Sequence, residues 1–90
     1  MLRARKPPND ELLRQVTAIA ARLREQLGLT GAVRTDVPLD EEGLGLDSMG
    51  RLDLFTAVEQ ECGVTIPEKY WGPRRLRNLG ELARVAVGRA

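Results

Sequence analysis

Leu12, Leu13, Val16, Ile19, Ala20, Leu23 and Leu27 recur at steps of three and four residues, the spacing that gathers apolar side chains on one face of an α-helix. A helix striped in this way has to bury its stripe against other elements. The remaining sequence points to more helices as its partners. Hydrophobic residues make up 42% of the chain but aromatics only 3%, so the core is made of Leu, Val, Ile and Ala, which suits packed helices better than a sandwich of strands. Ninety residues supply one such core, too little for an enzyme with a deep pocket and a separate lid.

The first helix should start after Pro7-Pro8, with Asn9 as its cap and Asp10 and Glu11 at its positive end. It should stop at Gly28, with Leu29 as the apolar contact that follows a left-handed glycine cap. From Leu29 to Asp47 no period is sustained; Val33, Val37, Leu39 and Leu44 are isolated anchors, with a short turn about Leu39 to Glu42. A connection of this length inside a small domain marks a functional side of the molecule. A second helix is expected over Ser48 to Cys62, with Leu52, Phe55, Val58 and Cys62 facing inward and Met49 and Leu54 at the margins, closed by Gly63. Between Pro67 and Gly72-Pro73, Glu68 to Trp71 makes at most one short turn, and Trp71 is expected to be buried. A last helix begins at Asn78, with Glu81 placed as in a capping box. The expectation is an all-α, four-helix bundle: three long helices, one short third helix, and a long loop between helices 1 and 2. Residues 1–8 read as a flexible basic arm and 9–90 as a single domain.

The net charge of +1 conceals a partition along the chain: +4 over residues 1–35, −8 over 36–68 and +5 over 69–90. A basic protein partner therefore suits the middle of the chain better than a polyanion does. Cys62 is the only cysteine and there is no histidine, so neither an internal disulfide nor a metal cluster is expected. The opening MLRARKPP lacks the apolar stretch of a secretory signal, and no segment is long enough to span a bilayer; a cytoplasmic protein with no membrane role is expected.

The acidic middle contains Gly43-Leu44-Gly45-Leu46-Asp47-Ser48-Met49, a glycine-bearing loop that places a hydroxyl at the first position of a helix. Ser48 has no histidine to act as its base, and a serine hydroxyl without an activating neighbour is a poor nucleophile, so no catalytic residue is assigned. As a substrate for another enzyme the same hydroxyl fits well, because a phosphate on it would meet the free N–H groups of the helix start. The helix dipole supplies only about 0.3 to 1 kcal/mol at an exposed site, so a permanent phosphate there has to be covalent.

Leu44-Gly45-Leu46-Asp47-Ser48-Met49 resembles the Leu-Gly-x-Asp-Ser-Leu motif that opens the second helix of acyl and peptidyl carrier proteins. The resemblance continues through Leu52, Asp53, Leu54, Val58, Glu59 and Glu61, then Gly63-Val64-Thr65-Ile66-Pro67, and closes at Asn78-Leu79-Gly80-Glu81-Leu82. It implies a free-standing, non-catalytic carrier. Ser48 would receive 4′-phosphopantetheine from coenzyme A through a magnesium-dependent phosphopantetheinyl transferase, with Asp47 helping to position serine and metal. The arm would hold an acyl or aminoacyl thioester and shuttle it between a loading enzyme and downstream synthase or tailoring enzymes. Met49, Arg51, Asp53, Glu59, Arg74 and Arg75 are the expected partner contacts of a monomer that binds no nucleic acid. Gly50 and Arg51 stand where fatty-acid carriers place acids, which directs the expectation to natural-product biosynthesis of polyketide or nonribosomal peptide type. Leu46 before Asp47 resembles acyl rather than peptidyl carriers. Two alternatives stand beside this one. The Arg74-Arg75-Arg77 cluster suggests a small nucleic-acid module, against which Asp53, Glu59 and Glu61 on the central helix argue; the other alternative is a carrier-like interaction domain that is never modified.

Overall fold

The apolar stripe folds as its spacing predicts. In the computed structural model, which describes residues 6–88, α1 spans Asn9–Gln26 and buries Leu12, Val16, Ile19 and Ala20. Its cap differs from expectation. Pro8 occupies the N-cap position and its carbonyl accepts from the Leu12 amide at 2.8 Å, so Asn9 is already the first helical residue and makes no side-chain cap. Proline serves here because its φ is fixed and its missing N–H is not needed at a helix start. At the other end Leu29 N donates to Arg24 O (2.9 Å) and Gly28 N to Glu25 O (3.0 Å), the paired bonds of a Schellman turn.

After the long loop come α2 (Ser48–Cys62), β1 (Val64–Thr65), a 3₁₀ turn (Glu68–Tyr70), α3 (Leu79–Val85) and β2 (Val87–Gly88). The chain is mostly helical, and α1 packs against both α2 and α3. α2 has the expected bounds, but its inward face is Gly50, Leu54, Phe55 and Val58. Leu52 is instead 41% exposed and Leu54 fully buried. The helix is apolar on two sides, and the four-residue step from 50 through 54 to 58 lies on the buried one.

α3, expected to be long, has seven residues. Asn78 Oδ1 accepts from Glu81 N at 2.9 Å, and Glu81 Oε1 reaches back to the Arg77 amide at 3.0 Å. The helix stops because Ala86 turns extended (ψ 139°) and hands the chain to β2. β2 pairs antiparallel with β1 in the register Val64↔Gly88, Thr65↔Val87, so an all-helical description omits a two-stranded clasp. The expected short third element is the 3₁₀ turn. Behind it Trp71 is half-buried, meets Phe55 edge-to-face at 5.4 Å, and donates Nε1–H to Ile66 O at 2.8 Å.

The expected basic arm, residues 1–8, falls largely outside the described residues. Of its described part, Lys6 Nζ donates to Arg84 O at 3.0 Å, joining the approach to α1 to the last turn of α3. Across the other end of α1, the Arg22 guanidinium pairs with both carboxylate oxygens of Glu61 on α2, holding that carboxyl below its ordinary range.

Phe55 is fully buried at the junction of α2 with the Trp71 segment. Phe55→Ala is expected to lower unfolding free energy by about 3 to 5 kcal/mol, the usual cost of a cavity that size, as read by urea denaturation.

Candidate functional site

The approach to α2 alternates. Leu44 and Leu46 are 2% and 1% exposed, while Asp47, Ser48 and Met49 after them face solvent. Two glycines make this approach close. Gly45 has φ +82°, and a Cβ on it would stand 2.9 Å from Leu29 Cδ1, so a side chain there would be strained by its own backbone and by the residue that ends α1's cap. At Gly43 a Cβ would lie 2.0 Å from the Pro38 carbonyl oxygen, and the next amide, Leu44 N, donates to that oxygen at 2.9 Å.

A residue to which the sequence pattern assigns no role organises the loop. Arg24, in the last turn of α1, donates Nε–H to Leu44 O (2.9 Å), Nη1 to Gly31 O (3.1 Å) and Nη2 to Thr30 O (3.0 Å). One planar guanidinium thereby gathers three loop carbonyls onto the end of α1 from three separate nitrogens, a spread that an ammonium group, with all its donors on one nitrogen, does not match. No periodicity advertises this role; the only signal is a basic residue beside a loop rich in unpaired carbonyls.

Asp47 is the N-cap of α2, and its Oδ1 accepts from Gly50 N at 2.8 Å. Gly50 is itself buried under Leu46, and a Cβ there would meet Leu46 and Asp47 Oδ1 at 3.3 to 3.4 Å. With the Arg51 amide bonded to Asp47 O (2.9 Å), the amides of Ser48 and Met49 have no acceptor among the described residues. Ser48, the first residue of α2, therefore sets its hydroxyl at an exposed helix start whose dipole favours an anion. Beside it lies a shallow depression of about 340 Å³ lined by Asp40, Glu41, Glu42, Asp47 and Ser48. Among the described residues no three His, Cys, Asp or Glu side chains are grouped to hold a metal ion.

The other expected contacts divide into groups. Met49 is 69% exposed and stands one turn before Leu52, giving the outer side of α2 an apolar strip, and Asp53 is exposed next to it. Glu59 sits differently from the surface position expected of it: half-buried, it accepts from Ile66 N at 2.7 Å and secures the exit from α2. Arg51 and Arg74 line one cavity between the loop, α2 and the approach to α3; Arg75 is exposed and does not line it.

Residues 17–69 match the protein family described as a phosphopantetheine attachment site. The chain belongs to that family. The matched span holds most of α1, the loop, all of α2 and β1, and ends within the 3₁₀ turn. Comparison with curated proteins and with solved structures gave no match. As a family member the chain is a carrier whose prosthetic group is covalently attached 4′-phosphopantetheine, and carriers of this family are non-catalytic and are modified by phosphopantetheinyl transferases. No helix among the described residues is long and apolar enough to cross a membrane.

Two substitutions test how the carrier holds its site. Asp47→Ala removes the cap and is expected to cost about 1 kcal/mol of stability by urea denaturation. Arg24→Lys leaves at most part of the three-carbonyl contact and is expected to cost about 1 to 3 kcal/mol, with amide exchange rising at residues 30, 31 and 44.

Proposed function

We propose that Ser48 Oγ is the point at which the arm is anchored, and that the protein shuttles a thioester-bound acyl or aminoacyl group between enzymes of a natural-product pathway. The observation that carries this reading is the placement of an exposed hydroxyl at the first residue of a capped helix, in front of two amides with no acceptor among the described residues. A phosphodiester there would meet the positive end of the α2 dipole, and the exposed position leaves room for it. In the transfer, Ser48 Oγ forms the new P–O bond as the pyrophosphate bond of coenzyme A breaks and adenosine 3′,5′-bisphosphate leaves. The hydroxyl proton passes to a base on the transferase, because the chain has no histidine and the Asp47 carboxylate already holds the Gly50 amide. Asp47 would keep the serine oriented, adds to the acidic depression that a basic transferase would meet, and would help to position the transferase's magnesium.

When attached, the arm supplies a thiol that holds cargo as a thioester. The protein supplies a tether, which keeps that cargo at high effective concentration wherever a partner docks. Partners would comprise a loading enzyme and downstream synthase or tailoring enzymes. Met49 and Leu52 offer them an apolar strip on the outer side of α2, Asp53 a negative charge, and Arg51, Arg74 and Arg75 a positive border. The glycine and arginine at positions 50 and 51 support a specialised pathway over fatty acid synthesis, since they replace the acids a fatty-acid partner would read. On this reading residues 9–90 act as one cytoplasmic, monomeric domain of four-helix acyl-carrier type, with the 3₁₀ turn standing in for the third helix.

Incubation with coenzyme A, magnesium and a broad-specificity phosphopantetheinyl transferase is expected to add the mass of one phosphopantetheinyl group to the wild type and none to Ser48→Ala. No gain on the wild type, or an equal gain on Ser48→Ala, overturns the assignment.

A further inference from the structure

The cavity between the long loop, α2 and the approach to α3, about 680 Å³ in volume, is lined by two acids and three arginines. Two of these five are already paired, Asp36 with Arg34 (2.9 Å) and Arg77 with Glu81 (3.2 Å). Asp40, whose Oδ1 accepts from the Glu42 amide (3.0 Å), is left with Arg51 and Arg74, so the wall stays net positive. Neither of these arginines has an ion-pair partner among the described residues, and Arg51 Nε is buried with no acceptor among them. A buried donor in that state is unfavourable until an acceptor arrives.

Arg74 carries a second, independent sign. Its φ is +63°, the only positive value among the described non-glycine residues, in a region that glycine occupies freely and arginine does not. An arginine kept at a backbone position that disfavours it points to a use for its side chain. The neighbourhood says what kind of ligand that use involves. Asp40 also lines the depression at Ser48, together with Glu41, Glu42 and Asp47, so a cationic concavity and an acidic one adjoin. Leu52, next to Arg51 in α2, is 41% exposed. A nucleic acid offers negative charge alone and would be repelled by the acidic concavity, whereas a protein face offers both signs around an apolar contact.

We propose that a partner enzyme seats an acidic side chain of its own between Arg51 and Arg74, with an apolar neighbour against the wall formed by Pro38, Leu39 and Leu76. The inference rests on the reading of the chain as a shuttling carrier and names the chemistry of the protein that docks on it. Residues 36–68 carry a charge of −8, which by itself suits a basic partner. The folded arrangement asks for something else: a docking face that changes sign across Asp40, a carboxylate on one side and basic groups on the other. A uniformly basic partner would leave the Arg51 donor unpaired and would meet repulsion at Arg74, so the two arginines discriminate among partners as well as hold one.

The test titrates the full-length, unmodified protein with a short peptide, serine-leucine-glutamate-leucine-serine with acetyl and amide ends, and with the same peptide carrying glutamine for glutamate, each followed by amide NMR shifts. The glutamate peptide is expected to move the amides of Leu39, Arg51, Arg74 and Leu76 to saturation and to bind about two- to fivefold more tightly than the glutamine peptide, the range that partly exposed guanidinium–carboxylate pairs support. The difference should vanish in Arg74→Gly, whose thermal midpoint should stay level or rise because glycine relieves the backbone, and shrink in Arg51→Gln. Equal binding of the two peptides to the wild type, or an undiminished difference in either variant, overturns the proposal. So does the same set of shifts from sodium acetate at equal concentration, which marks a site for free small anions, or tighter saturation of these amides by a mixed-sequence DNA duplex, which marks a polyanion site. The titration needs no arm, so each of these results leaves Ser48 as the anchorage, and the loss of that anchorage would show only in the mass assay.

Discussion

The Arg24 guanidinium is the contact on which the geometry of the helix start depends. A loop of some twenty residues is pinned to the core by Leu39, Leu44 and Leu46, but its backbone carbonyls need partners that these apolar anchors do not supply. Arg24 supplies donors to three of them from the most regular part of the chain, the last turn of α1, and one of the three belongs to Leu44, four residues before Ser48. Leu29, which closes the cap of α1, lies against Gly45 and adds an apolar contact at the same junction. The Asp47-Ser48 pair then projects outward because Leu44 and Leu46 on the buried side leave it no other direction.

The parts that the sequence revealed are those with a local cause. The α1 stripe is a local pattern of spacing, and the bounds of α2 follow from an aspartate that caps and a glycine that takes a left-handed conformation, both fixed by their own neighbours. The buried face of α2 is not legible in the sequence, for an equally physical reason. Met49 and Leu52 are apolar on its outer side and Leu54, Phe55 and Val58 on its inner side, and periodicity does not say which of two apolar sides meets the core. Asn9 was assigned as a cap on side-chain chemistry, whereas the Pro8 carbonyl had already begun the helix. Long-range pairings were out of reach. The β1–β2 clasp joins residues 64–65 to 87–88 through backbone groups that carry no sequence signature at a length of two residues.

Charge on the surface follows the same division. The acidic run that a one-dimensional count places at residues 36–68 folds so that Asp40, Glu41, Glu42 and Asp47 line the depression at the helix start, while Arg51 lines a second cavity with Arg74. Two neighbouring concavities of contrasting character result, an acidic one at the serine and a cationic one a turn further on. Sequence alone supplied the ingredients of both. Asp40 lines both and marks the boundary between them.

The pairing of Trp71 with Phe55 has a practical corollary. This is the chain's single tryptophan, set edge-on against its single phenylalanine and hydrogen-bonded to the Ile66 carbonyl. Its indole is therefore a built-in optical reporter of how the segment after Ile66 seats on α2, and emission colour and quenching follow that seating without any label.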